Sequence, residues 1–249
     1  MRERLELQRL ASNLRESLGA DLHAPIDVLS LATANPNITV VFYPFENQVS
    51  GLCIKKANLI AINSRTTKGR QNFSLAHELY HYYFNQSDLN IVDPVTGLST
   101  SPVEKEADLF ATHLLVPDQT LNKLVNTMTD HKTKPLTLRN IIELEQYFKV
   151  SRQALLSRLI IDYYLTNEEA EPFRTDIIAN ANLLGFDDSL YKIEPITMTL
   201  GAYIPKVHSL KEQGMISQGK YEEYLQDAFR QDLVFGEPED EVSEENNFL

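Results

Sequence analysis

The stretch from Phe73 to Phe84 constrains this chain more than any other. Phe73, Leu75, Ala76, Leu79, Tyr80, Tyr82 and Phe84 leave almost no polar face at helical spacing, so a helix here must be buried on nearly every side. Residues 77–81 inside it read His-Glu-Leu-Tyr-His. Two histidines four apart share one helix face, separated by roughly 40° about the axis, so both imidazoles can reach one cation. Glu78 stands one step round the helix and can flank a metal without competing as a ligand. The same spacing on an exposed helix would mean two ordinary histidines. Within an apolar helix, two histidines and a carboxylate need partners, because unpaired buried polar groups are costly. A metal ion supplies one, and an interposed Glu is then the general base of a metalloprotease.

Catalytic zinc takes three protein ligands and keeps an open position, so a third ligand must come from elsewhere. Residues 102–115 read as the next helix and offer two glutamates. Glu104 shares its face with Ala107, Asp108, Ala111 and Leu115, small enough at the alanines for close approach to the first helix. Glu106 points about 160° away, beside Lys105, Leu109 and His113, on a face that reads as mostly solvated. Glu104 is therefore favoured over Glu106. Asp108, one turn on, can accept a hydrogen bond from the far nitrogen of a metal-bound histidine, or else simply face solvent. Zn²⁺ suits this donor set, although imidazole and carboxylate also accept manganese or iron. Tyr80, Tyr82, Tyr83 and His131 could supply an oxyanion donor, but each reads better as structural.

The residues just derived resemble the ImmA/IrrE family of metallopeptidases. The likeness rests on Ala-His-Glu-Leu-Tyr-His at 76–81, followed by a Glu-x-x-x-Asp, Phe-Ala, Leu-Leu-x-Pro string from Glu104 to Pro117. It extends to Ile-Asn-Ser at 62–64 and the Gln-x-Phe-Ser-Leu-Ala lead-in from Gln71, and covers about residues 1–165. Asp108 stands where the family often has Asn. The resemblance implies a zincin-like α+β fold in which one strand edges the cleft and can pair with an extended peptide. It also implies an endopeptidase whose protein substrate is a helix-turn-helix repressor, often in phages or mobile elements.

Around this centre, Leu5, Leu7, Leu10, Leu14 and Leu18 recur at helical spacing before Gly19, and a second helix runs from Pro25 to a stop before Pro36. Residues 38–43, 49–54 and 59–62 are rich in β-branched and apolar side chains and read as three strands joined by hairpins in a small antiparallel sheet. Further helices are expected at 66–85, 118–127, 138–147, 152–165, 174–184, 199–211 and 217–229. Residues 85–101, with Asp93-Pro94 and Gly97, read as a surface loop. The fold class is thus α+β, mostly helical, with a helical C-terminal region.

Four regions follow: a metallopeptidase domain at 1–131, a helix-turn-helix-like pair at 132–165, a helical region at 166–236 and an acidic disordered tail at 237–249. Residues 132–165 carry six basic side chains against three acidic. That excess is modest, and the chain's net charge of −12 argues against direct DNA binding and against an anionic membrane surface. The tail holds six acids and no base. A single cysteine, Cys53, and no apolar run long enough to span a bilayer point to a cytoplasmic protein. The competing reading is a non-catalytic repressor-binding or DNA-binding module, an antirepressor or toxin-antitoxin component, with a vestigial metal site. An intact Glu78 favours the enzyme.

Overall fold

The computed structural model describes residues 2–46, 49–85, 91–94 and 101–236, with backbone alone at 91–94. The acidic tail and most of the 85–101 connection lie outside the described residues. The chain opens with helices α1 (Arg4–Ser17) and α2 (Val28–Thr33), then strands β1 (Thr39–Tyr43), β2 (Val49–Ile54) and β3 (Leu59–Asn63). Helix α3 (Lys68–Phe84) carries the two histidines, and β4 (Ile91–Pro94) and α4 (Pro102–Leu115) follow. Then come α5 (Asp118–Met128), α6 (Leu138–Phe148), α7 (Arg152–Ile161), α8 (Asn167–Ala170) and α9 (Ile177–Leu183). Strand β5 (Met198–Gly201) and helices α10 (Tyr203–Glu212), α11 (Gln218–Asp227) and α12 (Asp232–Phe235) complete it. No described helix is long and apolar enough to cross a membrane.

The sheet corrects the expectation of three antiparallel strands. It has five, in the order β4-β2-β3-β1-β5, and it is mixed: β1 and β3 run parallel, and the other pairs antiparallel. The chain crosses from β1 past an empty position into β2, and β3 then fills the gap. The reason lies in β3, whose Ile60, Ala61, Ile62 and Asn63 are all buried; a strand covered on both faces belongs in the middle. Two further corrections concern strands hidden from pattern. Ile91–Pro94, inside the expected surface loop, pairs with β2 as an edge strand. Met198–Gly201, expected as the start of a helix, pairs with β1. Gly201 permits this ending: its φ is +82°, and a Cβ there would collide with the Ile38 carbonyl oxygen, while Ala202 N–H donates to that oxygen at 2.8 Å. The helix resumes only at Tyr203.

Helix α3 packs on β2 and β3 with one side and on α4 with the other, and α1 covers α4. Its N-terminus is capped by Thr67, whose hydroxyl accepts from the Arg70 N–H. Arg15 on α1 is 1% exposed and donates from Nε and Nη2 to the Leu114 carbonyl at 2.9 and 2.5 Å, filling an acceptor at the end of α4. Burial pulls that guanidinium down to about 10, still far above neutral pH. One hydrophobic cluster runs from Leu7 through the sheet, α3 and α4 into α6, α7 and Ala170. Ala181, Leu190 and Tyr191 form a second, smaller one.

Candidate metal centre

Helices α3 and α4 bring His77, His81 and Glu104 to one point. Their ligand atoms all lie within 4.8 Å of one another. Glu104 Oε2 is 2.9 Å from His77 Nε2 and 3.5 Å from His81 Nε2, and the two imidazole nitrogens are 3.0 Å apart. Both histidines are 1% exposed, Glu104 is 9% exposed, and Glu78 is fully buried. Asp108 Oδ1 lies 2.9 Å from His77 Nδ1. Asp108 can accept the Nδ1 proton, and in that tautomer His77 Nε2 is left with a lone pair for a metal beside Glu104 and His81. Burial alone would raise the Glu104 carboxyl, but the two histidines against it outweigh burial and hold it at about 2.

This donor set fits a cation. A lone pair, a carboxylate oxygen and a second imidazole nitrogen facing one another repel unless a proton or a metal lies among them. Bonds of about 2.0–2.1 Å to a tetrahedral ion put neighbouring ligand atoms about 3.3 Å apart, and the three observed separations bracket that value. His77, His81 and Glu104 would hold the ion, with the Asp108 contact fixing the His77 ring. At the other ring, the Asn85 side-chain amide lies 3.5 Å from His81 Nδ1.

A family model for the IrrE N-terminal-like domain, a family of metal-dependent peptidases, matches residues 33–160, just over half of the chain. The chain belongs to that family. No curated protein sequence matches it. The matched stretch of this IrrE-like peptidase contains α3, α4 and every residue of the cluster described above.

Glu106 departs from the sequence reading. Its expected solvated face is in fact buried, with 8% of the residue exposed. Tyr80 donates its hydroxyl to one Glu106 oxygen, and the Arg2 backbone N–H donates to the other at 2.6 Å. The cause is α1: its leading residues lie over that side of α4, so a face that looks polar in sequence is covered by the chain's own start. The tyrosines near the centre are likewise engaged. Tyr82 donates to Asn58 at 2.8 Å, and Tyr83 accepts from Asn35 at 2.7 Å. His131 lies in an exposed turn with φ +53°.

Two residues of this IrrE-like peptidase escaped the pattern reading. Gly51, in β2, faces Glu78 so closely that a Cβ there would sit 2.7 Å from Glu78 Oε1 and 2.9 Å from Cγ. A glycine inside a strand signals close approach of another group, and that was the available clue. Arg70, two turns before His77, donates to the Ser50 hydroxyl at 3.0 Å and lies over the Phe73 ring. Nothing in its local pattern marks it. Cys53, the neighbouring thiol on β2, is pushed up to about 12 by burial and by the Glu78 carboxylate, which leaves it without thiolate character near neutral pH.

Proposed function

We propose that this chain is a zinc-dependent endopeptidase that hydrolyses a peptide bond in a helix-turn-helix transcriptional repressor. One observation carries the catalytic part: two imidazoles and a carboxylate from neighbouring helices converge within bonding reach of one ion, with the Asp108 carboxylate on the far nitrogen of His77. A bound zinc ion would act as a Lewis acid on the carbonyl oxygen and acidify water. The chain's own groups do the rest. Glu78, one residue beyond His77, accepts a proton from the attacking water and returns it to the leaving amine. Asp108 keeps the His77 proton on Nδ1, so Nε2 presents its lone pair. Strand β4 ends the sheet, and its Asp93 pairs with Gly51, the residue that meets Glu78. An extended peptide added to the outer edge of β4 would therefore lie two strand spacings from Gly51, the residue beside the base. The repressor as substrate rests on the family resemblance.

The non-catalytic DNA-binding reading is the weaker one, on a specific ground. In a helix-turn-helix the second helix reads DNA with its first residues. Here that helix is α7, and its Arg152 and Arg158 are 3% and 1% exposed. Arg152 is bound to Glu145, and Arg158 to Asp118 and Asp162. Two of the six basic side chains in 132–165 are thus spent on internal ion pairs.

Replacing Glu78 by Gln tests the proposal. E78Q should keep its metal and lose about 10²–10⁴-fold in cleavage of the repressor. Retained metal with undiminished cleavage refutes the base assignment. An intact repressor after incubation with metal-loaded wild type refutes the substrate.

A further inference from the structure

A hollow of about 700 Å³ opens between the first turns of α3 and α7 and residues 174–193. Four guanidinium groups line it, from Arg65, Arg70, Arg152 and Arg174, against one carboxylate, Asp176. A second hollow of about 350 Å³ shares Arg70, Ser151 and Gln153 with the first and reaches Asp108. The two therefore form one groove, and its inner end is the carboxylate that touches His77. Arg70 lies seven residues before His77 on the same face of α3, about 10 Å along the axis. An extended peptide covers that distance in about three residues.

The charge balance of this groove is opposite to that of the chain. Arg152 is committed to Glu145. Arg174 meets Glu171 at 3.0 Å, in a pair whose side chains are 36% and 75% exposed, so water screens it and a ligand can replace it. Arg65 is exposed and forms no ion pair among the described residues. Thr67 and Ser151, the caps of α3 and α7, also line the groove, which adds the positive ends of two helix dipoles. A chain of net charge −12 has concentrated cations here.

We infer that this groove is a substrate subsite for an acidic side chain, placed about three residues from the bond that is cut. The inference rests on the peptidase reading and adds a specificity to it. A peptide is a better match than nucleic acid. The lining includes Ile177, Ile178 and Ile193 beside the arginines, which suits a carboxylate on an alkyl stem, and the groove leads to the metal centre and not away from it.

Two pools of fluorescein-labelled random decapeptides test this, one containing Asp and Glu, the other Asn and Gln at the same positions. Metal-loaded E78Q binds without cutting, so anisotropy reports affinity alone. The acidic pool should bind about tenfold more tightly. That preference should fall below twofold in E78Q carrying R65E and R174E, and also with the milder R65Q and R174Q pair if the reversal impairs folding. Equal affinity for the pools, or a preference that survives both pairs, overturns the inference. So does a labelled 12-base-pair duplex that binds with the same dependence on Arg65 and Arg174, which would make nucleic acid the occupant. Wild-type enzyme is then given the acidic pool, and the products are sequenced. Acid-dependent binding with no cleavage would leave the subsite standing and sink the peptidase reading. Cleavage with neither binding preference nor enrichment of acids near the third residue from the cut would do the reverse.

Discussion

Adding one methyl group at Gly51 should disable catalysis while leaving the metal in place. In G51A the new Cβ would stand 2.7 Å from Glu78 Oε1, 2.9 Å from its Cγ and 3.2 Å from its Cδ. Ordinary contact begins at 3.4 Å, so the carboxylate has to retreat by about 0.7 Å. Glu78 has no solvent to retreat into, being fully buried. A displacement approaching 1 Å at a reacting group can cost up to about 10²-fold in rate, so kcat should fall by about 10- to 10²-fold. The proposed metal ligands sit on α3 and α4, and Gly51 sits on β2, so metal content measured by mass spectrometry should stay stoichiometric. Stability should change little. Alanine regains about 0.5–1 kcal/mol of strand propensity over glycine, against about 1–3 kcal/mol for overpacking. The assay is single-turnover cleavage by wild type, G51A, E78Q and the double variant. If Gly51 acts only through Glu78, G51A should cost nothing further once E78Q is present. Wild-type kcat in G51A, or full additivity with E78Q, refutes the reasoning.

Other consequences follow from the same contacts. D108A should weaken metal affinity by about 10- to 100-fold with the fold intact, since the His77 ring loses its partner; a chelator competition titration measures it. Asp118 is pushed upward by burial but held below its ordinary value by His113 and Arg158. A depressed folded pKa adds stability that is present above the unfolded value of 3.8 and lost as pH falls through the lower folded one. D118N should therefore cost about 1.5–3 kcal/mol at pH 7 and flatten that acid limb, as read by urea unfolding from pH 5 down to pH 2.5; an unchanged limb counts against it. Glu145, also reached by the Tyr191 hydroxyl at 2.7 Å, has its carboxyl raised by burial despite Arg152. R152M should lose about 3–5 kcal/mol by stranding that carboxylate, and E145L with R152M should recover part of it. A double variant less stable than R152M would speak against a desolvation origin.

The candidate metal cluster was legible because its signals lie within single helices, although its closure brings together residues 27 apart. The four-residue spacing of His77 and His81 sets a shared face, and the neighbours of Glu104 on its own helix tell it from Glu106. Two helix starts were legible for the same reason: Ser151 and Ser217 each accept from the backbone N–H three residues on. What failed was long-range. The parallel pairing of β1 with β3 and the capture of Met198–Gly201 by β1 depend on which edge is free, and no window of sequence records that. Glu106 failed likewise, because its cover comes from Arg2, more than a hundred residues earlier. Gly51 on β2 meets Glu78 on α3, and Arg70 on α3 reaches Ser50 on β2, relations that appear only once β2 lies under α3.

Strand β5 comes from residues 198–201, well past the family-matched stretch at 33–160, yet it zips along the side of β1. A chain cut short after α7 would bare main-chain donors and acceptors along Thr39–Phe42, and naked strand margins invite self-association. The late segment therefore works as a selvedge. It does not close the sheet: it moves that margin out from β1 to a strand of four residues, and the opposite margin among the described strands is β4.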